Sequence, residues 1–152
     1  MATRIQGNIS TKSLIRKAKE FHGHLGPFLA MGVRMGQIGL RELGFSKQTD
    51  SLQVFLKVLP SVPYSCVVDG LQISTKCTVG NQRLHLENAE KIEAKFKDLN
   101  KGQSVTVSPQ PAVFAMLKEQ IVGKNLSGKK LCKLAWTVAA MPERDLCIVK
   151  NG

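Results

Sequence analysis

Three glycines, Gly32, Gly36 and Gly39, fall inside the apolar stretch from Pro27 to about Leu43, and their spacing places them along one side of a helix. Each lowers helix propensity and none offers a Cβ, so the row makes sense where another backbone must come close. Pro27 suits the first turn of that helix, and Gly44 its left-handed stop. Whatever fold the chain adopts must lay a second element tightly against this face. The same stretch is interrupted by Arg34, Arg41 and Glu42, so it is not read as a membrane span.

The remaining pattern supplies that second element. Ser10 or Thr11 can cap a first helix, Lys12 to Phe21, with Leu14, Ile15, Ala18 and Phe21 on one stripe. Leu52, Val54, Leu56 and Val58 alternate with mixed residues as a strand does, and Pro60 and Pro63 end it. A short, mostly apolar helix is expected from near Ser65 to about Thr75. Beyond Gly80, the segments Arg83 to Glu87, Lys91 to Asp98 and Ser104 to Ser108 alternate. Asn100-Lys101-Gly102 is a good hairpin turn, and three antiparallel strands are the simplest account. Helical spacing returns at Val113, Met116, Leu117 and Ile121 and again over Lys129 to Ala139, followed by an extended piece, Leu146 to Val149. The expectation is one domain over residues 1–152, with a core of about 12–110 and a C-terminal helical extension of about 111–152.

The 152 residues carry a net charge of +11, concentrated in the two ends of the chain. Such a charge attracts nucleic acid, anionic cofactors or an acidic partner. Aromatics make up only 5% and no basic run exceeds two residues, so a solvated basic surface is the preferred reading and nucleic acid is not the expected partner. Residues 1–10 lack the basic start and apolar middle of a secretory signal, which points to the cytoplasm. Four cysteines, with no Cys-x-x-Cys pair, are read as reduced thiols.

Two clusters carry the chemistry. Phe21-His22-Gly23-His24-Leu25-Gly26-Pro27 places two of the protein's three histidines at a bend between helices, where a flexible glycine lets both imidazoles turn toward one ion. The alternative is one histidine capping the helix and the other exposed. In the second cluster, Cys66 begins a helix after a strand, where peptide dipoles favour the thiolate, and Asp69 and Gln72 follow on the same face. Its alternative is a small core cysteine followed by an ordinary first-turn acid. Cys77 lies eleven residues after Cys66, too far along a straight helix to share an ion within one chain. It is read as bracing the Thr78-Val79-Gly80 turn, as forming a second site, or as meeting the site of a neighbouring copy. Cys132 and Cys147 read as core, and His85 as structural or exposed.

Taken in order, the two clusters resemble the FmdE family, named for the E component of formylmethanofuran dehydrogenase. Its members carry His-Gly-His-x-Cys-Pro, then Cys-x-x-Asp-x-x-Gln ending in Gly-Cys-Thr. The counterparts are His22-Gly23-His24 with Pro27, then Cys66, Asp69 and Gln72, then Cys77-Thr78 with Gly80, over about Phe21 to Pro111. Gly26 stands in place of the family cysteine and Lys76 in place of a glycine, so one thiol ligand or redox partner is missing. The resemblance implies an α+β fold, a helix-strand-helix-three-strand core with helices packed on a mixed sheet, similar to the catalytic domain of glyceraldehyde-3-phosphate dehydrogenase. It further implies a homodimer and a divalent transition metal, zinc first, held by His22, His24 and Cys66. Cys66 and Asp69 are then the candidates for catalysis, with Gln72 and Cys77 nearby. The implied role lies in one-carbon or molybdenum and tungsten enzyme metabolism, with an accessory or carrier protein docking on a larger oxidoreductase as the alternative; the +11 charge alone motivates a second alternative, a nucleic-acid binder.

Overall fold

Ser10 begins the first helix by accepting a hydrogen bond from the Ser13 amide through its hydroxyl, and α1 runs Thr11–His22 with Leu14, Ile15 and Ala18 buried. The structure, a computed structural model, describes residues 10–45 and 50–152; the segment 1–10, read above as lacking a secretory signal, lies almost wholly outside these. After α1 come α2 (Pro27–Glu42), β1 (Leu52–Val58), a 3-10 turn (Tyr64–Cys66) running into α3 (Val67–Thr75), β2 (Leu84–Asn88), β3 (Glu93–Asp98) and β4 (Ser104–Pro109). The C-terminal part adds α4 (Pro111–Lys118) with a π-helical turn (Glu119–Gly123), α5 (Gly128–Ala140), α6 (Glu143–Leu146) and β5 (Cys147–Asn151).

The glycine row does what its spacing demands. A Cβ on Gly32 would collide with the Val67 carbonyl, and one on Gly70 of α3 with the Leu29 carbonyl, so α2 and α3 meet backbone to backbone. Gly36 makes room for the Ser74 hydroxyl and Gly39 for the Phe96 ring, which carries the same face onto the sheet. Phe28, Leu29, Met31, Leu71 and Phe96 are fully buried between these layers.

Five strands form one mixed sheet in the order β2-β1-β3-β4-β5. The alternation after Gly80 favours three mutually antiparallel strands; instead β2 runs parallel to β1 on one side, and β3 runs antiparallel to β1 on the other. The reason is α3. It carries the chain back along the sheet as a crossover connection, so the strand that follows starts at the same end as β1. The β3–β4 hairpin turns where expected, with Gly102 at φ 70° and its amide donating to the Asp98 carbonyl. The extended piece after Pro142 enters the sheet as β5, antiparallel to β4.

Arg34 ties the C-terminal helices to this core. Its Nη1 donates to the carbonyls of Val138, Ala139 and Met141 at 3.0, 2.9 and 2.7 Å, holding the end of α5 against α2. Arg41 pairs with Glu143 at the start of α6, Nη2 to Oε2 at 2.7 Å. No described helix is long and apolar enough to cross a membrane.

Candidate functional site

His22 is the last residue of α1, and Gly23 ends the helix in the left-handed region at φ 103°. The chain then turns through His24 and Gly26 into α2. Across from it stands the first turn of α3. There the Asp69 carboxylate reaches His22, Nδ1 to Oδ2 at 2.6 Å, with the two side chains 16% and 28% exposed. An ionised Asp69 accepts the Nδ1 proton, which leaves the lone pair of His22 on Nε2. The second carboxylate oxygen accepts from Gln72 Nε2 at 3.1 Å, and Gln72 Oε1 in turn accepts from the Val79 amide at 3.0 Å. Asp69 is thus held by His22 on one oxygen and by Gln72 on the other, and Gln72 is anchored in turn by the Val79 amide. The His24 ring meets that imidazole edge to face, with centroids 4.6 Å apart.

Cys66 lies one turn before Asp69 on the same helix, 8% exposed. The expected thiolate-favouring helix start is not found there. The 3-10 turn extends the helix backward, so the Cys66 amide already donates to the Pro63 carbonyl and that of Ser65 to Ser61. Burial pushes the Cys66 thiol up from its ordinary value, and the neighbouring Asp69 charge adds to the rise. The thiol is the resting form.

Cys77 stands outside the cluster, bonded to β1 and to the end of α3. It is fully buried, with Sγ 3.4 Å from the Leu52 carbonyl and its amide bonded to the Thr75 hydroxyl. Burial raises its thiol as well. Lys76 before it sits at φ 65°, a conformation that glycine adopts without strain, which gives a physical reason for the family's glycine there. Cys147 is buried, Cys132 half-buried, and His85 exposed on β2.

Sequence reading overlooks an aromatic trio next to Cys66. Tyr64 stacks on Phe114 with centroids 5.7 Å apart, and Phe28 meets the two rings at 5.3 and 6.1 Å. These residues come from α2, the 3-10 turn and α4, and no spacing along the chain links them. The Val79 amide that anchors Gln72 is equally invisible, because a backbone donor leaves no mark in a sequence.

Among the described residues, no group of three or more His, Cys, Asp or Glu side chains is gathered as a metal cage. The arrangement fits part of a metal site: one imidazole aimed by a carboxylate, with a second beside it. Gly26 is not required by its surroundings. Its φ is −138°, and a Cβ there would find its nearest neighbour, Leu131 Cδ2, at 4.0 Å.

Residues 21–148 match the model of the family described as FmdE, molybdenum formylmethanofuran dehydrogenase operon. A probable S-adenosyl-L-methionine-binding protein of Archaeoglobus fulgidus is 43% identical over 72 residues, which are 47% of this chain and 19% of that protein. The chain therefore matches about a fifth of that relative's length. The crystal structure of an FmdE-like protein of tungsten formylmethanofuran dehydrogenase type, from Syntrophus aciditrophicus, superposes with a TM-score of 0.69 at 19% identity, covering 95% of this chain and 73% of that one. At that identity the likeness is one of fold.

Proposed function

This chain belongs to the FmdE family, and from that membership we propose that it is a metal-binding protein of one-carbon or molybdenum and tungsten enzyme metabolism, with its site centred on His22. The observation that carries the reading is the 2.6 Å contact between His22 Nδ1 and Asp69. A carboxylate on one ring nitrogen raises the basicity of the other and fixes its direction, as is usual for imidazoles that bind zinc or a related ion. His24 is the second ligand. The remaining positions are left to solvent, a bound substrate, a second copy of the chain or the Cys66 thiol, which metal binding would deprotonate. Zinc suits two imidazoles with or without a thiolate, and it supplies Lewis acidity when bound.

Equilibrium dialysis against zinc, followed by elemental analysis, tests this proposal. His22→Ala and His24→Ala are expected to lose the ion, and Asp69→Ala to weaken binding by about 10- to 100-fold. Gly26→Cys restores the family's thiol in space that accepts a Cβ, and it should fold normally and bind more tightly. Unchanged zinc content in both histidine variants would refute the assignment, and Cys66→Ala reports whether the thiol is recruited.

A second reading is favoured by Gly26. A site short of one ligand exchanges its ion more readily, which suits an accessory or carrier protein serving a larger oxidoreductase. Faster zinc release to a chelator by the natural protein than by Gly26→Cys supports the carrier, and equal rates oppose it.

A further inference from the structure

Among the described residues the helices pack on one face of the sheet, through α2 against β3 and β4. On the other, strand register lines up His85, Phe55, Lys95, Thr106 and Lys150 in a row across all five strands, with Gln53, Lys97 and Ser104 in the neighbouring row. Phe55 is 41% exposed, and its ring lies nearly parallel to that of His85, 16° apart with centroids at 4.7 Å. Gln53 fixes the far side of that imidazole, Oε1 to Nε2 at 2.7 Å. Around the stack opens a groove of about 400 Å³ bordered by Lys57, Glu87, Glu93 and Lys95.

We propose that this face binds single-stranded nucleic acid, with a base stacked on the Phe55–His85 pair and the adjoining phosphates held by Lys95, Lys97 and Lys150. Charge is sorted along the strands. Both acids, Glu87 and Glu93, stand in the row of Lys57, and Glu93 is paired with Lys91 at 2.9 Å. The rows of Phe55 and Gln53 carry lysines and no acid. A flat, open strand surface bearing an exposed ring and spaced ammonium groups fits the two parts of an unpaired nucleotide, a π-face and a negative backbone. A duplex fits less well, since its base faces are hidden in its own stack. A second copy of the chain fits less well, because Phe55 would be the main apolar contact between two otherwise polar faces. The net charge of +11 adds long-range attraction for any polyanion.

Fluorescence anisotropy of a labelled deoxythymidine oligomer with the full chain, over a range of salt, tests the proposal. Binding is expected to weaken steeply with salt. Phe55→Ala should lose about tenfold or more in affinity, and Lys95→Ala with Lys97→Ala should lower the log–log salt slope by roughly 0.7 per lysine. His22→Ala should bind the oligomer unchanged, which separates this surface from the metal site. If Phe55→Ala unfolds on thermal scanning, Phe55→Leu keeps the apolar bulk without the flat ring, and the same loss is expected. The proposal is overturned by no binding at low salt, by equal binding of a duplex competitor, or by losses confined to Lys129→Ala and Lys130→Ala on α5. A dimer in sedimentation that Phe55→Ala dissociates, without oligomer binding, would assign the face to self-association instead.

Discussion

Cys147 combines burial with two opposed charges. It is 4% exposed, and burial pushes its thiol up to about 12; the Arg34 charge works against the rise and that of Glu143 adds to it. A thiol whose folded value exceeds its unfolded one contributes stability that is complete at neutral pH. That contribution drains away as pH climbs from the ordinary thiol value of 9.0 toward about 12, because the unfolded chain gives up its proton first. Chemical denaturation across this alkaline window should show stability falling with pH in the natural protein. Cys147→Ala should lower the neutral-pH baseline by loss of packing and flatten the fall, by at most about 1.4 kcal/mol per pH unit. An unchanged slope would remove Cys147 as a contributor. At this scale the sequence is informative about which residues matter and less so about their state. His22, Asp69 and Gln72 can be singled out by spacing, yet the raised Cys66 thiol follows from burial and from the Asp69 charge beside it, and spacing does not reveal how deeply the sulfur is buried.

Helix α2 and the row of glycines on it are where sequence and structure agree most closely. Steric exclusion is local and one-sided, so a missing Cβ at helical spacing can be read without knowing the partner. What spacing does not reveal is that α3 answers with a glycine of its own. Gly70 presses on the Leu29 carbonyl, and backbone cannot swing aside as a side chain can. Gly70→Ala is expected to destabilise the protein by about 1–3 kcal/mol or more, seen as a lower melting temperature. Gly26→Ala, where space exists, should leave it nearly unchanged. Because α3 also carries Asp69, the Gly70 variant should loosen the His22 contact as well, visible as a change in the histidine ring resonances. The strands are legible by alternation, but their order is not. Period-two patterning marks which face is buried and says nothing of which strand lies beside which.

At the level of the whole molecule, Arg34 joins parts of the chain more than a hundred residues apart. Three carbonyls at the end of α5 share its single Nη1; removing the donor leaves that of Val138 with only the Met141 amide and takes the Arg34 bond from those of Ala139 and Met141. Arg34→Ala should cost about 1–3 kcal/mol, measured by chemical denaturation, and should raise hydrogen exchange across α5 before it does so in β1. A uniform rise in exchange would mean that the tie is not local. The C-terminal helices thus share in the cooperative unit, although spacing alone presents them as an extension of it.

The position of β5 has a further consequence. β4 meets β3 on one side and, among the described residues, β5 on the other. β5 follows β4 only after α4, α5 and α6, so during synthesis a row of β4 amides and carbonyls waits unmatched while the earlier strands can already assemble. That interval is when a newborn chain is open to pairing with a neighbour on the same message.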